Sequence, residues 1–405
     1  MDDRSARELL VACYRAGVAA VDPEAAVAAN LGPVAGRVVV LALGKAAPAM
    51  ARGAARALRR ERLEGIVVSN HRAPIPDGLV LMLGDHPVPG AASLRAGQAL
   101  LDLAGTLTEE DTALVLVSGG GSALIEVPVA GISIDDLAVT NRALLRSGAD
   151  IVATNVVRRK LSRIKGGGLA AAIAPARIIT LLVSDVVGDD PATIASGPTI
   201  RSGDAGTAAG DVVASLRIEG DLPAAVREAL DTPVLPGAVP DQELRIIAGG
   251  AVAAHAAAAA AEQRGFPARV VDTRMTGDAA AVAGEVLARA GFGVSVFAGE
   301  TTVTVTGDGI GGRNQEAALV AATLLDGASG TWFLAAGTDG IDGMTEAAGA
   351  VVDGGTVARA SAAGLDPGVA LDRNDSGGFF AALGEQLVTG PSGTNVGDLW
   401  LVLRA

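Results

Sequence analysis

Residues 38–50 read VVVLALGKAAPAM. The six side chains of 38–43 are apolar without a break, then come Gly44 and Lys45, and a helix is expected over 46–60. A continuous apolar run of this length reads as a strand buried on both faces, and strand, glycine turn and helix make one βα unit. Further apolar runs stand at 65–69, 79–84, 112–118 and 177–184, with helical stretches between several of them. Their spacing predicts an α/β fold with a doubly wound, mostly parallel sheet whose ligands sit at the strand C-terminal ends. An amphipathic helix over 4–20 precedes this sheet.

A proline- and glycine-marked stretch at 231–241 reads as a linker. Beyond it the pattern predicts strands at 245–248, 268–272 and 293–298, an exposed strand at 303–306 and a buried one at 332–336. Helices are expected at 251–264, which is rich in alanine, and at 278–290. The working architecture is two α/β domains, 1–235 and 236–405.

With 405 residues the chain is long enough for two or three cores, and aromatic residues make up only 2% of it, so those cores must be aliphatic. The formal net charge of -13 argues against nucleic acid or a membrane surface as the main partner, since both want a basic footprint. Cys13 is the only cysteine, which excludes an intrachain disulfide and a thiolate zinc site. The opening MDDRSARELL lacks the apolar core of a secretory signal, and no apolar run is long enough to span a bilayer. A cytoplasmic location is the expectation, and the oligomeric state, a homodimer included, is left open.

Several polar stretches follow strand-like runs. Lys45 sits at the end of the first strand, where a helix dipole disfavours a cation but a ligand phosphoryl group would welcome one. Ser118, Gly119, Gly120, Gly121 and Ser122 form a loop able to turn several backbone N–H groups toward an anion. Asn155, Arg158, Arg159, Lys160 and Lys165 gather positive charge before Gly166; a continuous helix would carry Arg158 and Lys165 on one side. Asp185, Asp189 and Asp190 follow the run at 177–184, where carboxylates hold magnesium beside phosphates or cap the next helix. Arg313 and Asn314 follow four glycines in GDGIGGRN (307–314), and Asp339 and Asp342 lie in GTDGIDG (337–343), suited to a metal, a hydroxyl or Asx turns. None of the three histidines, His71, His86 and His255, has metal-ligand spacing with another, and His86 beside Asp85 is a pocket candidate.

Taken in order, LALGKAAPAM (41–50), GDHPVPG (84–90), SGGGSAL (118–124), NVVRRKLSRIKGG (155–167), SDVVGDDPATIASGPT (184–199), GGRNQEAAL (311–319), GTDGIDGMTEAAGA (337–350) and TGPSGTNVGDL (389–399) resemble the class II glycerate 2-kinases, whose C-terminal end carries a MOFRL domain. Arg159 and Lys160 stand where many relatives have a lysine-histidine pair, and Ser392 where a threonine is common. The resemblance implies a Rossmann-like N-terminal domain and a smaller MOFRL domain, at about 290–400, closing a cleft. It implies ATP-dependent phosphorylation of D-glycerate at its 2-hydroxyl, with Mg2+. Lys45 and Arg313 inherit the role of a catalytic pair, with Asp189 orienting or deprotonating the hydroxyl. Asp185 and Asp189 fall in the metal region, and Ser118, Gly119, Gly120, Gly121, Ser122, Lys165, Asn314 and Asp339 are the expected nucleotide contacts.

Two rival readings stand beside this one. An NAD(P)H-dependent hydroxypyruvate reductase would need a GxGxxG turn with an acidic residue about twenty positions later, and neither GGGSAL nor GDGIGG supplies it. A non-catalytic binding protein for small organic acids shares the hinged plan but gives no reason for the carboxylate loop.

Overall fold

The first apolar run forms β1 (Arg37–Leu43), with every residue after Arg37 buried. The computed structural model describes residues 1–59, 62–201, 208–231, 240 and 242–405, so the linker expected over 231–241 lies almost wholly outside the described residues. The chain divides into two compact units. One holds Pro23–Ser184 and Asp190–Ile247; the other holds Met1–Asp22, Asp185–Asp189 and Ala248–Ala405. The expected single boundary near 235 is therefore too simple. The first helix, α1 (Asp3–Ala20), and the Asp185–Asp189 loop both belong with the C-terminal residues.

In the first unit β1 is joined by β2 (Arg62–Ser69), β3 (Asp77–Leu83), β4 (Asp111–Val117), β5 (Arg177–Val183) and β6 (Gln242–Ala248), in the order β3-β2-β1-β4-β5-β6. The pairings of β1 with β2, β1 with β4, β2 with β3 and β4 with β5 are all parallel. β4 is buried along its whole length, as a central strand covered on both faces must be. Helix α2 (Ala47–Leu58) follows β1 and packs against β1 and β2. Parallel neighbours need a crossover, usually helical. Between β2 and β3 the seven residues 70–76 do it in an irregular, proline-containing form. At about 3.3 Å per residue they reach roughly 23 Å, enough to return along the paired length. Strand order reverses between β1 and β4, which places a ligand crevice at the C-terminal ends of these two strands.

The second unit is built on a mixed sheet. It contains β7 (Ala268–Asp278), β8 (Gly293–Thr302), β9 (Thr331–Gly337), β10 (Gly349–Asp353), β11 (Gln386–Leu387) and β12 (Asp398–Arg404), ordered β11-β10-β9-β12-β8-β7. β7 and β8 run parallel, while the remaining pairings are antiparallel. The strand expected at 303–306 is not present, because β8 ends at Thr302 with the last of its β7 partners. Instead the backbone N–H groups of Thr306 and Gly307 donate to Asn374 Oδ1. Phe333 and Trp400 meet edge to face at 5.6 Å in a core otherwise made largely of alanine, valine and leucine.

Helix α3 (Ile151–Lys160) belongs to the first unit, and α4 (Gly250–Glu262) is the alanine-rich helix of the second. α1 packs on α4 through small contacts: α1 buries Leu9, Leu10, Cys13 and Tyr14, and α4 buries six alanines. Tyr14 ties this layer to the sheet by donating its hydroxyl to Gly337 O at 2.6 Å. Burial pushes the Cys13 thiol up to about 11. The native protein at pH 8 is therefore expected to react with a disulfide reagent at least ~100-fold more slowly than the urea-unfolded chain. Equal rates would show that α1 is not docked on α4.

Candidate active site

The crevice of the parallel sheet is shaped by an absent side chain. Gly44, directly after β1, has φ +119°, and a Cβ there would stand 2.1 Å from Ser118 Oγ and 2.5 Å from Ser118 O. Only glycine permits that approach. The two strand ends are then laced together: Ser118 N donates to Leu43 O, Lys45 N to Gly119 O, and Ala46 N to Ser118 Oγ, at 2.9, 2.9 and 3.0 Å. Ser118 is buried with its hydroxyl engaged in this lacing, while Lys45 is exposed.

Gly120 has φ +82°, and the place of its missing Cβ is ringed by Lys45 Cγ and Cε at 3.1 and 3.2 Å and by His86 Cδ2 at 3.5 Å. Lys45, His86 and the Ser118–Ser122 loop thus form one constellation. Burial first, and the Lys45 ammonium second, hold the His86 imidazole below its ordinary value, so it is neutral at pH 7. Asp85 is used otherwise: its carboxylate accepts from Ala92 N and Ser93 N and caps the helix Ala91–Ala104. Behind the loop, Ser122 Oγ lies 2.7 Å from Ser196 Oγ, which donates to Asn155 Oδ1 at 2.7 Å. Asn155 Nδ2 is buried with no hydrogen-bond partner.

Lys165 does not join this constellation. α3 ends at Lys160, so no continuous helix carries Arg158 and Lys165 together. The Lys165 ammonium is instead ion-paired with Glu126, the two side chains 1% and 2% exposed, and Ser162 Oγ donates to the other Glu126 oxygen. Burial pushes the Lys165 ammonium down against the pull of Glu126. A lysine sealed in this way is an internal strut and not a nucleotide contact. Arg158 is likewise turned inward, donating Nε to Asn141 Oδ1 at 2.7 Å.

In the mixed-sheet unit, Arg313 is the first residue of α5 (Arg313–Leu324). Its Nε donates to both oxygens of Asp398, each at 2.9 Å, and its Nη1 lies 3.1 Å from Glu300. Asp398 is fully buried, while the side chains of Arg313 and Glu300 are 30% and 45% exposed. Burial alone would lower the guanidinium, but Asp398 and Glu300 outweigh it and hold the charge more firmly. The Glu300 carboxyl is raised by partial burial and by Asp398 and Asp185, with Arg313 opposing. Asp339 is half-buried and also raised, chiefly by burial, with Arg313 again opposing. Asn314 is buried and committed on every side: Nδ2 donates to Asp342 and Asp398, and Oδ1 accepts from Trp400 Nε1. Its amide is thus engaged inside the unit, where a nucleotide contact had been expected of it. Asp342, for which a metal, a hydroxyl or a turn stood open, accepts from Asn314 N and Gln315 N and caps α5.

Asp185 and Asp189 belong to this second unit, whereas the glycine loop Ser118–Ser122 belongs to the first. With Gly250, Thr273, Gly299 and Gly397 they line a small concavity. Asp189 has φ 54°, and its Oδ1 is buried with no hydrogen-bond partner. An uncompensated carboxylate oxygen suits a hard cation. Among the described residues no three His, Cys, Asp or Glu side chains are grouped as metal ligands.

Reasoning from sequence passed over Glu300 and Asp398. Glu300 follows the strand-like run VSVFAG, and Asp398 lies in the quoted block ending GDL, so both were visible as carboxylates beside strand ends. Replacing Lys165 with Met would leave Glu126 buried and unpaired, an expected loss of about 3–5 kcal/mol in urea unfolding, with much of it restored in Lys165→Met/Glu126→Leu. Unchanged stability with weaker nucleotide binding would return Lys165 to the ligand site.

Among the described residues no helix is long and apolar enough to cross a membrane. Residues 9–231 match the family described as "Domain of unknown function (DUF4147)", and residues 293–398 match the MOFRL family. A protein of Agrobacterium vitis, provisionally named a hydroxypyruvate reductase, is 40% identical over 99% of this chain and 95% of its own length. A D-glycerate 2-kinase of Thermotoga maritima is 37% identical over 98% of each chain. The crystal structure of a glycerate kinase from Thermotoga maritima superposes with a TM-score of 0.89 at 36% identity, covering 99% of this chain and all of that one. Similarity over the full length, in both sequence and fold, shows that this chain belongs to the glycerate kinase family that carries a MOFRL region at its C-terminal end.

Proposed function

We propose that this protein transfers the terminal phosphoryl group of ATP to the 2-hydroxyl of D-glycerate, giving 2-phosphoglycerate and ADP. The observation that carries the reading is the exposed Lys45 at the strand-order reversal, its backbone laced to a glycine loop. A cation displayed there suits an anionic ligand.

In the reaction the glycerate 2-oxygen forms a bond to the γ-phosphorus while the bond from that phosphorus to the β,γ-bridging oxygen breaks and ADP leaves. Lys45 Nζ and the Arg313 guanidinium offset the charge that spreads over the transferring oxygens. The Asp189 carboxylate orients the 2-hydroxyl and takes its proton. Gly119, Gly120 and Gly121 supply the backbone that approaches the phosphates, with Ser122 fixed behind them, and Asp339 is assigned to the nucleotide. Asp185 and Asp189 would hold magnesium, which would supply positive charge against the phosphates.

The reductase reading meets a structural obstacle. The strand order is one that dinucleotide-binding folds also use, yet the turn after β1 reads Gly44-Lys45-Ala46-Ala47-Pro48, with one glycine and a lysine in the path of a pyrophosphate turn. Lys45→Ala and Arg313→Ala are each expected to lower ADP release with D-glycerate by at least ~100-fold, with unchanged circular dichroism. Near-normal turnover in both variants would refute the assignment, and NADH oxidation with hydroxypyruvate by the unaltered protein would favour the reductase.

A further inference from the structure

Asp398 opens β12 between two glycines: its cross-strand partners are Gly299 of β8 and Gly337 of β9. No side chain from either partner stands beside it, and donors converge on its buried carboxylate instead. Oδ2 accepts from Thr301 N at 3.0 Å, Thr301 Oγ1 at 3.1 Å and Arg313 Nε at 2.9 Å; Oδ1 accepts from Arg313 Nε and Asn314 Nδ2, both at 2.9 Å. A second buried carboxylate, Asp342, grips the neighbouring main chain through Asn314 N and Gln315 N at 3.0 and 2.8 Å. Asn314 Nδ2 reaches both carboxylates, and Trp400 Nε1 fixes the other end of that amide at 2.7 Å.

The consequence falls on Arg313. Its backbone is held at the head of α5 by the Asp342 cap, and the Nε edge of its guanidinium is held by Asp398. What this bracket leaves is the terminal Nη end of the fork, where Nη1 lies 3.1 Å from the part-exposed Glu300. A free arginine side chain carries about 2 kcal/mol of rotamer entropy that would otherwise be lost when it meets a ligand. Here folding has already ordered it, and a guanidinium held in advance stabilises developing charge without rearrangement.

We infer that Asp398 is a positioning residue for phosphoryl transfer, acting through Arg313, with Asn314 linking it to the Asp342 cap. This rests on the kinase reading above. Asn314 then serves the reaction from behind the arginine, in place of the nucleotide contact expected of it.

The test is a kinetic cycle on the full chain with ATP, Mg2+ and D-glycerate, using Asp398→Asn, Thr301→Val, Arg313→Ala and the doubles with Arg313→Ala. Asp398→Asn keeps the shape but turns an amide N–H toward a set of donors; its kcat is expected to fall ~30-fold or more, with KM for both substrates within ~3-fold. Thr301→Val removes one of the bonds to Asp398 and is expected to cost ~3-fold in kcat. In the Arg313→Ala background neither substitution should slow turnover further by more than ~2-fold, because the group it orients is gone. Added guanidinium ion should partly restore Arg313→Ala and fail to restore Arg313→Ala/Asp398→Asn. Normal kcat in Asp398→Asn, or losses that multiply in the double variant, would overturn the inference while leaving the kinase reading intact. If Asp398→Asn does not fold, the Thr301→Val cycle decides by the same criterion. Near-normal turnover of Arg313→Ala would remove the arginine from the reaction and the inference with it.

Discussion

A carboxylate taken out of water has to be compensated by charge and by hydrogen bonds, and each unit of this protein contains one that is. In the parallel-sheet unit Glu126 is closed off with Lys165 and Ser162, so both charges are spent internally. In the mixed-sheet unit Asp398 is equally buried, but its partner Arg313 reaches the surface. The same desolvation penalty therefore makes a strut in one place and a displayed cation in the other. Which of the two results depends on whether the partner side chain is sealed over, a property of the fold and not of the residue type.

Lys45 owes its exposure to a different constraint. Gly44 leaves room for Ser118, the loop after β4 folds against the turn after β1, and the lysine is left standing at the strand-order reversal with His86 and Gly120 beside it. His86 stays neutral because burial and the Lys45 charge both resist its protonation. Around these polar ends the cores are built of small aliphatic residues, and the alanine surface of α4 lets α1 dock closely enough for Tyr14 to bond the sheet.

The parallel sheet was legible because its central strands are apolar on both faces and each ends at a glycine or serine, as at Gly44 and Ser118. The mixed sheet was read only in part. β11 is two residues long, and β12 begins with a buried aspartate that no apolar pattern marks as strand. The alternation at 303–306 predicted a strand, but pairing needs a neighbour and none extends past Thr302. The N-terminal helix was correctly placed in the sequence, but that it would pack with the C-terminal residues was not legible, since an amphipathic pattern says that a face is buried and not against what. For the site, positions beside strand ends were recognisable, and Lys45, Asp185, Asp189 and Arg313 were singled out on that ground. Lys165 and Asn314 were singled out too, because a basic or amide side chain looks the same in sequence whether it faces a ligand or an internal carboxylate. Glu300 and Asp398 were passed over for the same reason in reverse.

The proposed chemistry is decided by where the phosphorus goes. The most direct measurement is 31P NMR of the purified protein incubated with D-glycerate, ATP and magnesium. It should show the γ resonance of ATP disappearing in step with the appearance of ADP and the doublet of 2-phosphoglycerate, its phosphorus coupled to the single proton on C2. A triplet from the two protons on C3 would contradict the assigned position, and free phosphate or unchanged ATP would contradict the kinase reading itself.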